Sequence, residues 1–172
     1  VPPEIDSGLH EHRLLGISVM LETLFSYGSD HRRTAPANSM AMSSTHDTVP
    51  FAGFWWGADI DIAHRLGLVG DEERGRQFGW RERMRERVVD HLRGIGLLHD
   101  DASPTAVMHA VAELTASEPA AISIYALEDL WGEVLPQNVP GTFQEEPNWR
   151  RVAAHTIEEL EADGGLGALA DR

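Results

Sequence analysis

The stretch Ala120–Leu127, AAISIYAL, constrains the fold of this chain more than any other. Ile122, Ile124 and Tyr125 sit in a near-continuous apolar run in which Ser123 is the one small polar residue. Continuous runs of this kind suit parallel strands covered on both faces, and parallel strands need long crossovers, usually helical. Two shorter runs precede it. Gly16–Phe25, GISVMLETLF, mixes β-branched and aliphatic residues between Gly16 and the turn SYGSDHRR, and predicts a buried strand. Residues 40–45, MAMSST, alternate weakly and predict a strand leading straight into His46-Asp47.

Helical segments separate these runs. Residues 50–68, PFAGFWWGADIDIAHRLGL, predict a helix start followed by a helix ending near Gly67. Asp71 is a candidate cap for the next helix, which stops at the Gly94/Gly96 pair and carries Arg and Glu at i, i+3 and i, i+4 spacings. Ser103-Pro104 opens another helix with a hydroxyl cap and a proline in the first turn. Val107, Met108, Val111 and Leu114 form its apolar stripe, and Pro119 closes it. VPPEI at the start predicts a loop. PQNVPGTFQEEPN (136–148) is a long Pro/Gly/Asn-rich loop, and the tail from Trp149 predicts a helix that frays at DGGLG. Strands alternating with helices define an α/β chain, read as one domain over residues 1–172. Three strands cannot close a (β/α)₈ barrel, which takes roughly 250 residues, so such a chain would supply only part of one.

Composition narrows the partners. The formal net charge is −14 and lysine is absent, so nothing concentrated here would neutralise nucleic-acid phosphates or an anionic membrane surface. No apolar run approaches the roughly 20 residues of a membrane span, and VPPEIDSGLHEH does not read as a signal peptide. Without cysteine there are no disulfides or thiolate metal sites, and a cytoplasmic protein is expected.

The chemistry-bearing candidate is SSTHDTVP, residues 43–50. Thr45, Asp47 or Thr48 could cap the helix after Pro50. Alternatively, if MAMSST is a barrel strand, His46 and Asp47 sit at its C-terminal end, where barrel enzymes build their sites. A carboxylate there stabilises a developing cation, and a histidine hydrogen-bonds a ligand hydroxyl. Asp90-His91 and His99-Asp100 raise a rival, an HD-type metal-dependent phosphohydrolase. His91 lies in an Arg/Glu-rich helix, however, and His99-Asp100 follows the helix-ending glycines, so solvated residues are the simpler reading. There is no H-E-x-x-H, no G-x-S-x-G, no P-loop and no dinucleotide fingerprint. No metal or cofactor is expected. Phe51, Phe54, Trp55 and Trp56 could stack on a sugar, but read more simply as a core-facing helix.

Taken together, STHDTVPFAGFWWGADI, ISIYALEDLWGE and QNVPGTFQEEPNWRR resemble the C-terminal part of the 4-alpha-glucanotransferases, also called amylomaltases or disproportionating enzymes. The resemblance rests on Thr45–Thr48 (T-H-D-x), Gly53–Trp56, Leu127–Gly132 (L-x-D-L-x-G), Asn138–Thr142 (N-x-P-G-T) and Pro147–Arg150 (P-N-W-R). It implies a (β/α)₈ barrel that transfers α-1,4-glucan segments between maltodextrins by retaining double displacement. Such chemistry needs a carboxylate nucleophile and a carboxylic acid/base roughly 5 Å apart. The resemblance makes Asp47 the third carboxylate, which holds the sugar at the −1 subsite. It makes His46 its sugar-binding neighbour and Asn138 a further glucan contact.

In the family, the acid/base glutamate lies just ahead of a V-P-P-E segment and the nucleophile lies on an earlier strand. Val1–Glu4 matches V-P-P-E, and no residue here, Glu4 and Asp6 included, matches either catalytic position. The expectation is therefore a C-terminal fragment with about the last three strands and their helices, inactive alone. Its partners would be the glucan and the N-terminal part of the same enzyme. An open sheet edge would favour self-association. The competing class is a non-catalytic glucan-binding or interaction module.

Overall fold

The computed structural model describes residues 2–27 and 34–162. Three strands, β1 (Gly16–Val19), β2 (Ser39–Met42) and β3 (Ile122–Ile124), form one parallel sheet in the order β1-β2-β3. The register pairs Ile17 with Met40 and Met40 with Ile122, and Val19 with Met42 and Met42 with Ile124. Because side chains alternate across a strand, these six residues share one face of the sheet. Ser39 and Ala41 point to the other face and are buried.

Among the described residues, helices cover only that second face. Met20, Leu21, Leu24, Phe51, Val88, Leu92, Val107, Val111 and Leu114 build the core beneath it. The first face stays open, with Ile17 64%, Ile122 46% and Ile124 40% exposed. This corrects the expectation for Ala120–Leu127. The run is apolar for two-sided cover, but strand pairing is confined to Ile122–Ile124 and one side has no neighbour among the described residues.

Several boundaries differ from expectation for identifiable reasons. Gly16–Phe25 is strand only to Val19, and α2 (Met20–Tyr27) follows at once. Met20, Leu21 and Leu24 recur at helical spacing, and the Thr23 hydroxyl donates to the Val19 carbonyl at 2.7 Å, closing the first turn. The opening prolines begin α1 (Pro3–Glu11) instead of a loop: Pro2 is at the cap, and Pro3 lacks an N–H that the first turn would leave unpaired anyway. The end of SYGSDHRR and the DGGLG segment lie outside the described residues.

Residues 51–65 are split into α3 (Phe51–Trp56) and α4 (Ala58–Arg65) at Gly57, whose φ is +83°. A Cβ there would also stand 2.5 Å from the Phe78 ring, so glycine is required twice over. α5 (Asp71–Gly94) has Gly70 at its cap, and Asp71 is instead the first of three acidic residues in its positive N-terminal turn. Arg81 of α5 is buried. It pairs with Asp59 at 2.7 Å, lies 3.5 Å from the centroid of the Phe54 ring and donates to the Phe54 carbonyl. α6 (Pro104–Ala116) has the expected Ser103 cap, which accepts from the Ala106 N–H at 3.3 Å, and its stripe is buried as read. Beyond it, buried Glu118 accepts from the Ala35 N–H at 2.7 Å and holds the approach to β2.

The tail is not helical from Trp149; α7 is only Ile157–Ala162. Its start is set by a reciprocal pair. The Glu159 N–H donates to the Thr156 hydroxyl at 3.2 Å, and the Thr156 N–H donates to the Glu159 carboxylate at 2.9 Å.

After β3 the chain turns through a 3-10 segment, Leu127–Trp131, that buries Asp129. One carboxylate oxygen accepts from the Phe51 N–H at 2.7 Å and the other from the Ser43 hydroxyl at 3.1 Å. Asp129 thus supplies across the fold the cap that Pro50 cannot give α3. Burial pushes its carboxyl above the ordinary aspartate value of 3.8, against the pull of the Phe51 and Ser43 donors, and nearby Glu128 adds to the rise. Asp129→Ala strands both donors and is expected to lower the unfolding free energy by about 1–3 kcal/mol in denaturant titrations. Asp129→Asn retains an acceptor for Phe51 and should cost less. Because the folded carboxyl binds its proton more tightly than the unfolded one, its contribution is fully present below pH 3.8 and is lost as pH rises through the folded value. The stability of wild type relative to Asp129→Asn should therefore rise toward acid; a fall would contradict the assignment.

Candidate functional site

The site grows from the C-terminal end of β2. After Ser43, residues 45–48 form a turn closed by threonine hydroxyls. The Thr48 hydroxyl donates to the Thr45 carbonyl at 2.9 Å and accepts the Thr45 N–H at 3.0 Å. The Thr45 hydroxyl accepts the Asp47 N–H at 3.3 Å. None of Thr45, Asp47 and Thr48 caps α3, as the sequence allowed: Thr45 and Thr48 are used within the turn, and the Phe51 N–H is taken by Asp129. The turn lifts His46 and Asp47 to its exposed tip, with His46 Nε2 3.5 Å from Asp47 Oδ2.

A second segment meets this tip from 91 residues away. Asn138 Nδ2 donates to Asp47 Oδ1 at 2.7 Å. All three sequence-predicted site residues are therefore together. Asn138 holds one carboxylate oxygen, and the other faces His46, so Asp47 is aimed without being saturated, since each oxygen has two lone pairs.

The loop that carries Asn138 is organised mainly by Asn148. Its side-chain oxygen accepts the Val139 N–H at 3.0 Å, and its Nδ2 donates to the Thr142 carbonyl at 3.1 Å and hydroxyl at 2.8 Å. The Trp149 N–H donates to the Gln137 carbonyl at 2.8 Å, and Arg151 Nε donates to the Pro136 carbonyl at 3.0 Å. Arg65 of α4 pairs with buried Glu146 and ties the far end of the loop to the helical layer. Asn148 was not singled out from the sequence, although it lies inside the quoted P-N-W-R motif. Its role depends on contacts made only once the loop has closed.

α3 fixes the near end of the loop by touching main chain. A Cβ on Gly53 would stand 2.1 Å from the Val134 carbonyl oxygen. The buried face of α3 is Phe51 and Trp55, with rings 5.6 Å apart, so these two aromatics are core as expected. Phe54 lies under Arg81, and Trp56 is exposed beside Arg85.

His46 and Asp47 stand on a ridge between two depressions. A cleft of about 590 Å³ lies on the His46 side, bordered by Thr45, Ile124, Leu127, Glu128, Trp131 and Trp149. A groove of about 270 Å³ lies on the Asp47 side, between α4 and Pro136–Pro140. The rival His-Asp pairs build nothing comparable. His99 and Asp100 are exposed, and among the described residues no three His, Cys, Asp or Glu side chains converge to hold a metal ion. No described helix is long and apolar enough to cross a membrane.

The arrangement has the fold of one part of an amylomaltase. The structure superposes on amylomaltase from Corynebacterium glutamicum with a TM-score of 0.79 at 19% identity, covering 99% of this chain and 27% of that one. For amylomaltase from Streptococcus agalactiae, solved in complex with acarbose, the TM-score is 0.62 at 14% identity over 99% of this chain and 29% of that one. The model of the glycoside hydrolase 77 family, described as 4-alpha-glucanotransferase, matches residues 1–156, and the chain belongs to that family. The 4-alpha-glucanotransferase of Mycobacterium bovis is 33% identical over 109 residues, which are 62% of this chain and 15% of that protein. The Haemophilus influenzae 4-alpha-glucanotransferase is 22% identical over 166 residues, 91% of this chain and 24% of that protein. The chain thus spans a quarter or less of these two relatives.

Gly53→Ala should displace the Val134 carbonyl and the loop behind it, at a cost of about 1–3 kcal/mol in unfolding free energy. The side-chain amide resonance of Asn138 should shift with it. An unmoved resonance at wild-type stability would refute the coupling between α3 and the loop.

Proposed function

We propose that the protein containing this chain is a 4-alpha-glucanotransferase and that residues 1–172 form the C-terminal part of its (β/α)₈ barrel, about the last three strands with their helices. The open face of Ile17, Met40, Met42, Ile122 and Ile124 supports this reading. Apolar residues in adjoining rows would line the interior of a closed barrel, and the remaining strands of the same enzyme would cover them. The reaction is retaining transfer of α-1,4-glucan segments, with the nucleophile and acid/base on the part of the barrel that this chain does not match.

The observation that carries the proposal is the Asn138–Asp47 hydrogen bond at 2.7 Å. It joins the T-H-D and N-x-P-G-T segments at the C-terminal end of a parallel strand, the end where barrels of this kind place their chemistry. In the proposed mechanism Asp47 accepts from hydroxyls of the sugar undergoing reaction. Its negative charge, fixed in advance by Asn138 and the threonine turn, favours the flattened, positively charged ring of the oxocarbenium-like transition state over the relaxed sugar. His46, with Nε2 3.5 Å from Asp47 Oδ2, leaves its other ring nitrogen to hydrogen-bond a sugar hydroxyl. This chain thus holds and distorts the sugar while the two missing carboxyl groups break and remake the bond.

In the full-length enzyme, Asp47→Asn is expected to lower kcat on maltotriose by roughly a hundredfold or more while maltotriose still binds. Asn138→Ala, which frees the carboxylate to rotate, should lower kcat by a smaller factor. An undiminished Asp47→Asn rate refutes the role of Asp47. The polypeptide of residues 1–172 alone should release no glucose from maltotriose; glucose together with longer maltodextrins would overturn the division of labour. Glucan binding by the full-length protein without transfer would favour the non-catalytic module instead.

A further inference from the structure

Trp149 is the one non-glycine residue near the site with a positive φ, +59°, among the described residues. The left-handed region is unfavourable for a bulky side chain, and Asn or Gly would occupy it more easily. Hydrogen bonds at its own N–H and at the preceding residue enforce the conformation. The Trp149 N–H is held by the Gln137 carbonyl at 2.8 Å, and the preceding residue, Asn148, is fixed by its three loop hydrogen bonds. Core packing does not repay the strain, because Trp149 is 63% exposed. Its ring instead borders the larger cleft, with its centroid 5.5 Å from that of His46 and inclined to it by 45°. Strain held at an exposed aromatic beside a binding histidine points to the ligand as the reason for the ring.

We infer that Trp149 is a stacking platform for a pyranose ring of the glucan, on the His46 side of the ridge. This rests on the functional reading above and extends it to a residue that sets substrate affinity. The C–H face of an α-glucosyl residue is flat and apolar, and an indole face offers it broad contact with little side-chain entropy to lose. His46 supplies a polar partner for hydroxyls at the ring's edge, and Leu127 and Trp131 continue the apolar wall of the cleft. Because stacking grips ground state and transition state alike, Trp149 should act mainly on KM, whereas Asp47 acts on kcat.

The test uses the full-length enzyme with maltotriose. Trp149→Asn removes the ring but suits the left-handed backbone, so its unfolding midpoint should equal or exceed that of wild type. Its KM should rise roughly two- to tenfold with a much smaller change in kcat. Trp149→Phe, which keeps an aromatic face, should recover most of the affinity. Maltotriose should also change the intrinsic fluorescence of wild type more than that of Trp149→Phe. A wild-type KM in Trp149→Asn, or a KM that rises only together with a lower unfolding midpoint in both variants, overturns the inference. If Asp47→Asn lowers kcat while Trp149→Asn leaves KM alone, the platform fails and the transferase reading stands. If Asp47→Asn leaves kcat alone, the role of Asp47 is refuted, and the platform stands or falls by the KM of Trp149→Asn.

Discussion

The carboxylate of Asp129 fixes three parts of the chain to one another beyond what the pairing of β2 with β3 provides. It receives the Ser43 hydroxyl at the end of β2, caps α3 through the Phe51 N–H, and is itself carried by the turn that follows β3. Everything that presents the site hangs from these elements. The threonine turn bearing His46 and Asp47 lies between Ser43 and Phe51, and the loop bearing Asn138 leaves from the turn bearing Asp129. A buried acceptor shared by two donors is costly to misplace, because each donor would be left dry and unpaired. The geometry at the ridge is therefore set by an interaction on the opposite, helix-covered side of the strand ends.

The site divides its support between rigid and adjustable parts. Asp47 sits on a short turn whose polar groups are satisfied within four residues, and Asn138 sits on a loop pinned by Asn148, Arg65 and Arg151. The two supports meet at the Asn138–Asp47 hydrogen bond and where the Trp149 ring approaches that of His46. The Asp47 carboxylate is thus held from two segments, with a depression open on either side of the ridge.

Much of this architecture is legible in the sequence where the signal is local. The Ser103-Pro104 opening and the Val107, Met108, Val111, Leu114 stripe specify α6 because cap and periodicity agree. Gly16–Phe25 is ambiguous for the opposite reason: an apolar run too short to show its period changes from strand to helix at Val19, and only the tertiary core reveals that Met20 and Leu24 lie on one helical face. The apolarity of Ala120–Leu127 overstates the cover that these residues receive among the described residues. The pairing of Asp47 with Asn138 has no local pattern, being separated by 91 residues. The family motifs marked both residues for the site, but their contact with each other appears only in the structure. Asp129 escaped for a related reason, since a cap supplied from across the fold leaves no mark beside the helix it caps.

The close approach at Gly53 bears on how this site can change over time. A helix that rests on a main-chain carbonyl is indifferent to the side chain at that point, so Val134 is free to drift while residue 53 is not. Mutational tolerance is thereby distributed unevenly across a single contact. The loop can change in sequence without losing its anchorage, provided that one position on the facing helix keeps nothing beyond its α-carbon.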